Sequence, residues 1–236
     1  MQDMTIVPEG EKWKFDKDVS MVFDDMLERS IPGYNDMRDL VFKVARNFVK
    51  PETDIVDIGC SNGLSAVRFV EEYKFTNDFY LYDVSEPMLE IARDKYKGEK
   101  RVYIENVDIR KGIPNKNVSV VLSILTIQFT PIEYRKMIFQ ELYNALLPNG
   151  ALILVEKVLG ETAQLDSVLT REYYNLKRQS LYTQEQIESK RKSLEGVLVP
   201  VTANWNIDLM RSCGFRSIEC FWRNLNFAGW IALKES

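Results

Sequence analysis

The stretch Thr53-Asp-Ile-Val-Asp-Ile-Gly-Cys-Ser-Asn-Gly63 decides the fold of this chain. A mainly apolar, β-prone run ends in an acid and Gly59, and an amphipathic run begins at Leu64, directly after Gly63. This order predicts a strand, a tight turn and the start of a helix. Gly59 would let the chain turn sharply and let a ligand approach the backbone, and the helix would direct free N–H groups toward that ligand.

The composition favours one α/β domain over residues 1–236, with 45% hydrophobic and 28% charged residues. A net charge of −4 gives no general attraction to nucleic acid, so direct binding of nucleic acid is not expected, although residues 190–192 could touch phosphate. The absence of histidine removes Ser-His-Asp and Cys-His chemistry and the usual histidine-containing metal sites, so we expect no metal.

The three cysteines and the lengths of the apolar runs indicate the cellular compartment. An odd number of cysteines at irregular spacing fits a reduced, cytoplasmic protein. Residues 1–10 contain acids and no apolar core run, which does not match a signal peptide. No apolar run approaches the length that spans a bilayer, so we expect no membrane association.

The rest of the chain reads as five strands that alternate with helices, followed by a strand pair. An irregular arm over 1–14 precedes a helical cap within 1–50, and a polar helical insertion lies within 160–200. Helices are predicted over 15–30, 36–49, 64–73, 86–97, 131–147 and 204–212. Strands are predicted within the opening stretch and over 78–83, 101–105, 117–125, 151–155, 217–222 and 226–233, with a tight turn at Arg223-Asn224. This alternation predicts a parallel sheet whose last two strands form an antiparallel pair.

Acidic residues collect at the predicted strand ends. Asp57 and Gly59 end the first strand, Asp83 ends the second, and Asp108 follows the third. In an open parallel sheet these ends line one crevice, where a carboxylate can bind a ribose diol and another can accept from an adenine amino group. The spacing Asp-x-Gly-x-x-x-Gly lacks the G-x-G-x-x-G of a dinucleotide site, and no phosphate-binding G-x-x-x-x-G-K-[ST] loop is present.

This constellation resembles the S-adenosylmethionine (SAM) site of the class I methyltransferase superfamily over roughly residues 50–235. The resemblance implies a Rossmann-like, mostly parallel sheet of seven strands with the last strand inserted antiparallel. It also implies that Gly59-Cys60-Ser61 contact the methionine part of SAM, that Asp83-Val84 contact the ribose, and that Asp108-Ile109 contact the adenine.

Segments outside that site are similar to the carboxy-SAM synthases. The similar segments are Trp13-Lys-Phe-Asp16, Val22-Phe-x-Asp-Met26, Arg29-Ser-x-Pro-Gly-Tyr34, Ser189-Lys-Arg-x-Ser-Leu-Glu-x-Val197, Leu225-Asn-Phe227 and Ala232-Leu-Lys234. The resemblance implies conversion of SAM to carboxy-SAM with prephenate as the donor. Prephenate becomes phenylpyruvate, and a sulfonium ylide formed from SAM captures the carbon dioxide. The product then serves a partner enzyme that modifies the wobble uridine of certain tRNAs.

Two residues carry the narrower resemblance. In the family, a Tyr after the Pro-Gly turn and an Arg on a late helix contact the ligand, and Tyr34 and Arg191 match these positions. An Arg beside a sulfonium would repel it unless an anion is present, and a carboxylate on the methyl carbon supplies that anion. Each residue also has a plainer interpretation: Tyr34 as a lid or core aromatic, and Arg191 as part of a solvated charged face. Cys60 has no base beside it and is not expected to act as a nucleophile.

Ile124 is where the chain departs from the family pattern. The carboxy-SAM synthases have a ligand-contacting Asn here, and an Ile side chain cannot form hydrogen bonds. A SAM-dependent methyltransferase acting on a small molecule or RNA therefore stays open, as does a SAM-binding subunit without chemistry. The family's members pair, so we expect a homodimer.

Overall fold

The sheet follows the predicted alternation. The structure, a computed structural model, describes residues 11–235 without the side chains of Asp18, Ser20 and Met21, so residues 1–10 of the predicted arm lie outside it. Its strands are β1 Asp54–Ile58, β2 Asp78–Asp83, β3 Val102–Asn106, β4 Val118–Ile124, β5 Leu146–Leu159, β6 Val201–Thr202, β7 Ser217–Asn224 and β8 Phe227–Leu233. Their order is β3-β2-β1-β4-β5-β8-β7, with the two-residue β6 beside β5. Strands β1 to β5 are parallel and β8 runs antiparallel to β5 and β7, which confirms the predicted seven-stranded architecture.

Helices cover both faces of this sheet. They are α1 Lys17–Ser30, α2 Tyr34–Ala45, α3 Val67–Tyr73, α4 Glu86–Lys95, α5 Ile132–Ala145, α6 Ala163–Gln179, α7 Gln184–Leu194 and α8 Ala203–Ser212. Apolar residues of α2, α3 and α4 pack on one face and those of α5 and α8 on the other, which is why β4 is buried on both sides. No helix within residues 11–235 is long and apolar enough to cross a bilayer.

The opening stretch forms the predicted strand and turn. Four of the five residues of β1 are buried, and the Cys60 N–H donates to the Tyr82 carbonyl at 2.9 Å. Gly59 has φ +64°, and a Cβ there would lie 2.2 Å from Thr126 Cγ2. Gly59 is therefore required both by the left-handed turn and by the close approach of Thr126. The predicted helix over 64–73 begins as a 3-10 turn, Leu64–Ala66, before α3.

The predicted boundary around Pro148-Asn149-Gly150 is wrong. The helix predicted to reach residue 147 ends at Ala145, and β5 begins at Leu146 instead of residue 151. Pairing continues through this segment as a bulge: Asn149 has φ +58°, its N–H donates to the Lys234 carbonyl at 2.7 Å, and the β4 register shifts between Val118 and Val120. A bulge accommodates the proline that we had interpreted as a helix stop.

Two further expectations need correction. The turn between the last strands is Leu225-Asn226, because Asn224 pairs with Phe227 and Leu225 takes the positive φ of +47°. The second helix ends at Ala45, after which a 3-10 turn, Arg46–Phe48, takes the place of the predicted helical residues up to 49, and its buried residues pack into the main core. The fifth strand also continues to Leu159 instead of ending at residue 155, the remaining predicted bounds agree within two residues, and α6 and α7 lie inside the predicted 160–200 insertion. The division into cap and insertion stays a prediction.

We expect Gly63→Ala to destabilise the fold more than Gly98→Ala. Both glycines have positive φ, +74° and +91°, so each alanine carries about 1–2 kcal/mol of left-handed strain. A Cβ at Gly63 would lie 2.7 Å from the Tyr96 ring, whereas nothing lies within 4 Å at Gly98. Overpacking should therefore add about 1–3 kcal/mol for Gly63→Ala alone, measured by urea unfolding. Equal losses for the two variants would contradict this.

Candidate functional site

The carboxyl ends of the parallel strands open into a cleft with two adjoining chambers. The outer chamber, lined by residues that include Asp83, Val84, Asp108, Ile109 and Thr126, has a volume of about 870 Å³ including its mouth. The inner chamber has about 940 Å³ and is lined by residues that include Tyr34, Cys60, Ile124, Lys157, Lys177 and Lys190. Both chambers share the lining residues Phe15, Gly59, Ser61, Leu125 and Phe129, so they adjoin along these residues.

Asp83 shapes the outer chamber. Its Oδ2 accepts the Ser61 N–H at 2.8 Å, and its Oδ1 accepts the N–H groups of Val84 and Ser85 at 2.7 and 2.8 Å. These three bonds tie the turn after β1 to the end of β2. The half-buried carboxylate keeps lone pairs beyond those that the backbone uses, which a ligand diol could occupy.

The far wall of the outer chamber combines a charge pair with apolar side chains. The Arg110 guanidinium donates hydrogen bonds to both carboxylate oxygens of Asp108, and these bonds lower the pKa of Asp108. Val84 is 61% exposed at the chamber wall and Ile109 is half-buried. A flat, partly apolar group that carries hydroxyls on one side would match this wall.

Asp57 does not reach the surface of either chamber. Its carboxylate is 1% exposed, and Oδ2 has no hydrogen-bond partner. Burial, and then the charge of Asp83, raise its pKa well above the usual range. Cys60 does line the inner chamber, but burial also raises the pKa of its thiol well above normal, which disfavours the nucleophilic thiolate.

Tyr34 lines the inner chamber from the start of α2. Its ring is buried, and burial raises the pKa of its hydroxyl. The Arg38 guanidinium lies 5.7 Å from the centre of this ring and donates to the Leu64 carbonyl at 2.8 Å. Helix α2 is thus attached to the turn that follows β1, and Tyr34 lines the same chamber as Gly59, Cys60 and Ser61.

The loop after β4 forms the wall between the chambers and is held by β5. The buried Glu156 carboxylate accepts the Ile127 N–H at 3.0 Å, and the Gln128 Oε1 accepts the Lys157 N–H at 2.7 Å. Burial raises the pKa of Glu156 to about 8. Ile124, at the end of β4, presents an apolar side chain to the inner chamber.

Arg191 is not brought into either chamber. Its side chain is 48% exposed and pairs with Glu195 at 2.6 Å. It lines a neighbouring groove that shares Lys157, Tyr173, Lys177 and Lys190 with the inner chamber. Of the sequence-predicted site residues, Tyr34, Gly59, Cys60, Ser61, Asp83, Val84, Asp108 and Ile109 line the cleft, while Asp57 and Arg191 do not.

The sequence did not lead us to three lysines in the inner chamber. Lys157 Nζ and Lys177 Nζ lie 4.8 and 5.2 Å from the centre of the Tyr173 ring. Lys190 Nζ lies 4.8 Å from the Trp13 ring and 3.4 Å from Ser30 Oγ. Tyr173 and Lys177 lie four residues apart and share one face of α6, a spacing that could have indicated their proximity.

Among the described residues, no carboxylate lines the inner chamber. Its remaining walls are largely apolar, with Phe23, Met26 and Leu27 contributed by α1. Burial lowers the pKa of Lys157 to about 8 against the opposing charge of Asp166, and burial together with the charge of Lys157 lowers the pKa of Lys177 to about 8. The chamber therefore concentrates positive charge in surroundings of low polarity, where an anion would bind strongly.

The chain before α1 closes the cleft. Lys12 Nζ donates to the Glu195 carbonyl at 2.7 Å, and the Trp13 N–H donates to the Ser193 carbonyl at 3.0 Å. Farther along, the Ser85 hydroxyl donates to the Phe15 carbonyl at 2.6 Å. This segment thus bridges the end of α7 and the end of β2, and it leaves Phe15 in the wall that both chambers share.

Comparison with known proteins adds sequence relatives. The family described as a methyltransferase domain matches residues 55–150. A Methylococcus capsulatus protein named carboxy-S-adenosyl-L-methionine synthase is 36% identical over 225 residues, which cover 93% of each chain. A Helicobacter pylori protein of the same name is 33% identical over 229 residues, which cover 95% of each.

Solved structures with the same fold are more distant. Human N-acetylserotonin methyltransferase in complex with SAM matches with a TM-score of 0.62 and 14% identity, over 93% of this chain and 56% of that one. The CurJ carbon methyltransferase matches with a TM-score of 0.66 and 14% identity, over 92% of this chain and 58% of that one. The chain thus spans little more than half the length of these structures, and the likeness concerns the fold alone.

We expect Lys177→Met to stabilise the fold at neutral pH. The ammonium is 4% exposed and faces Tyr173, Tyr182 and the charged Lys157, with no ion-pair partner in residues 11–235. Because the folded-state pKa is about 8 and below the unfolded value of 10.5, this lysine lowers stability below pH 8, and the penalty fades as the pH rises toward 10.5. The gain should be about 1–3 kcal/mol at pH 7 in urea unfolding.

Lys234→Met is the matched control, because Lys234 also lies over an aromatic ring but outside the cleft, 5.0 Å from the Tyr143 centre. The prediction would be contradicted if the stability that Lys177→Met gains over wild type did not shrink between pH 8 and 10.5, or if the variant were less stable than wild type at pH 7.

Proposed function

This chain belongs to the carboxy-SAM synthase family, and on that premise we propose that it transfers a carboxyl group from prephenate to the methyl carbon of SAM. In the overall reaction, the donor loses carbon dioxide and its ring hydroxide and becomes phenylpyruvate. The hydroxide leaves as water with one proton of the sulfonium methyl group, and a new bond joins the methyl carbon to the carbon dioxide. The single observation that carries the proposal is the pairing of an acid-lined chamber with a lysine-lined one.

The outer chamber suits the nucleoside part of SAM. Asp83 and Val84 would contact the ribose, and Asp108-Ile109 would contact the adenine, since all four residues line this chamber. Gly59, Cys60 and Ser61 lie at the junction with the inner chamber, where the methionine part would pass. Asp57, which is buried, would act on this turn from within the core.

The inner chamber suits the carboxyl donor. The lack of a carboxylate among its described lining residues leaves no acidic side chain to act as a base, which supports proton transfer to the donor's own leaving hydroxide. The α1 side chains Phe23, Met26 and Leu27 exclude water from the reacting atoms. Tyr34 lies on the methionine side of this chamber and would orient that part of SAM.

Arg191 would contact the carboxylate that is added to SAM. To do so, its guanidinium has to exchange Glu195 for the new anion, and the groove that it lines adjoins the inner chamber. An exposed ion pair of this kind contributes little to stability, so breaking it requires little free energy.

The proposed setting is a cytoplasmic homodimer that supplies carboxy-SAM to an enzyme modifying tRNA wobble uridines. Three free cysteines support a reducing compartment. Leu159, Leu165 and Val168 are exposed near the start of α6 and support a contact between copies. The net charge of −4 supports leaving tRNA binding to the partner enzyme.

Methyl transfer to a small molecule or RNA is the second candidate. It is favoured by Ile124, whose side chain presents no hydrogen-bonding group to the inner chamber. A methyl acceptor needs no site for an added carboxylate, so under this alternative the lysines would bind an acidic acceptor.

We expect the purified protein to convert SAM and prephenate to a product heavier than SAM by one carbon dioxide. With prephenate labelled in the ring carboxyl, the label should appear in this product by mass spectrometry. With prephenate labelled in the side-chain carboxyl, it should stay in phenylpyruvate. Recovery of unmodified SAM alone, while an established synthase succeeds in parallel, would refute the proposal, and release of S-adenosylhomocysteine with an acceptor would favour methyl transfer.

Arg191→Ala should lower product formation about 10- to 100-fold, which corresponds to one lost charge-assisted hydrogen bond. SAM affinity, measured by calorimetry, should stay within about twofold, because the guanidinium would meet only the added carboxylate. Lys192→Ala, an exposed neighbour on α7, is the control and should leave both unchanged. An equal loss of SAM affinity in Arg191→Ala would exclude this role.

A further inference from the structure

Lys157 and Lys177 form a compact pair of positive charges in the inner chamber. They come from β5 and α6, and both ammonium groups lie about 5 Å from the centre of the same Tyr173 ring, at 4.8 and 5.2 Å. Lys177 is 4% exposed, and neither lysine forms an ion pair with a carboxylate of residues 11–235. The charge of Asp166 acts on Lys157 without forming an ion pair with it, so the two adjacent ammonium groups have no directly bonded counter-ion in the described part of the chain. This arrangement is unfavourable and points to an anion that completes the site.

We propose that Lys157 and Lys177 together bind the carboxylate that the donor acid keeps, and so select a donor with two carboxyl groups. This inference rests on the proposed function and assigns residues to one part of its donor. Burial holds the pKa of both lysines near 8, so both are mainly protonated at neutral pH and available to an anion.

The position of the pair separates it from the cofactor part of the cleft. The outer chamber is lined from the ends of β1, β2 and β3, whereas Lys157 lies on β5, beyond β4 in the sheet. Under the proposed function, the methionine part of SAM would contact Gly59, Cys60 and Tyr34, which also line the inner chamber. The carboxylate at the lysine pair is therefore assigned to the second molecule, and the carboxylate added to SAM is assigned to Arg191 in the adjoining groove.

The chemistry of decarboxylation decides which donor carboxylate the pair holds. The charge of a carboxylate that leaves as carbon dioxide disperses in the transition state. An ammonium fixed on that group would stabilise the ground state more than the transition state and slow the step. The pair therefore suits the retained carboxylate, and the leaving one faces the apolar side chains of Phe23, Met26 and Ile124.

Lys190 has a different position in the chamber. Its ammonium contacts Ser30 Oγ at 3.4 Å and the Trp13 ring, and Ser30 Oγ lies 3.1 Å from the Tyr182 hydroxyl. These contacts attach α7 to α1. Lys157 and Lys177, the two lysines over the Tyr173 ring, thus remain the adjacent positive charges of the chamber whose ammonium groups bind no oxygen atom of the described residues.

Phenylpyruvate is the probe, because it keeps only the carboxylate that the pair should hold. Calorimetric titration into the SAM-loaded protein should show binding. Lys177→Met and Lys157→Met should each weaken that binding about 10- to 100-fold, while SAM affinity changes less than about twofold. Lys177→Arg should keep most of the affinity, and Lys192→Met, which removes an exposed charge on α7, should behave as wild type.

The result that would overturn the inference is phenylpyruvate affinity unchanged in both methionine variants, absent in the wild type, or lost together with SAM affinity. Urea unfolding shows whether the variants remain folded, and Lys177→Met is expected to be more stable than wild type. Wild-type carboxy-SAM formation reports separately on the proposed function. If the methionine variants lose phenylpyruvate binding but the wild-type protein makes no carboxy-SAM, the anion site is retained and the reaction is rejected. If the wild-type protein makes carboxy-SAM and the variants still bind phenylpyruvate normally, only the lysine assignment is rejected.

Discussion

The carboxylate of Asp83 is the interaction on which the cleft depends. By accepting backbone N–H groups from Ser61, Val84 and Ser85, it fixes the end of β2 against the turn that follows β1. Neighbouring parallel strands end at the same edge of a sheet, but hydrogen bonds of this kind are needed to fix the loops that follow them relative to each other. Thr126, packed against Gly59, extends the same fixed arrangement to β4, so three strand ends form one rigid wall.

Charge divides the cleft into two parts with different chemistry. Asp83 and Asp108 line the outer chamber, whereas ammonium groups line the inner one. A molecule with a cationic centre and a hydroxylated ring matches the first, and an acid matches the second. The loop after β4, which Glu156 and Gln128 hold to β5, is the boundary across which two such molecules would meet.

The sequence predicted the parts of this site that follow from local order. Strand β2 ends at Asp83 as expected, and Gly59, Ser61, Asp83 and Asp108 meet because parallel strands end at one edge. The lysines were missed because Lys177 and Lys190 lie in polar helical runs that resemble solvated faces. Only packing against Tyr173, Tyr182 and Trp13 buries them. Adjacent residues on a helix point about 100° apart, which is why Lys190 lies inside and Arg191 outside.

The chain before α1, which closes the cleft, affects the order in which the parts of the protein fold during synthesis. Lys12 bonds to the backbone of Glu195 across 183 positions in the sequence. During synthesis the first of these residues leaves the ribosome long before its partner exists, and contacts of such separation form late because the intervening chain has to be ordered first. Strands β1 to β5 and the Asp83 bonds all precede α7 in the sequence, so they can form while the inner chamber is still open. The site for the second substrate is finished only when α7 and then β8, which contributes Phe227, have been made, so the residues of the nucleoside wall leave the ribosome well before those that enclose the inner chamber.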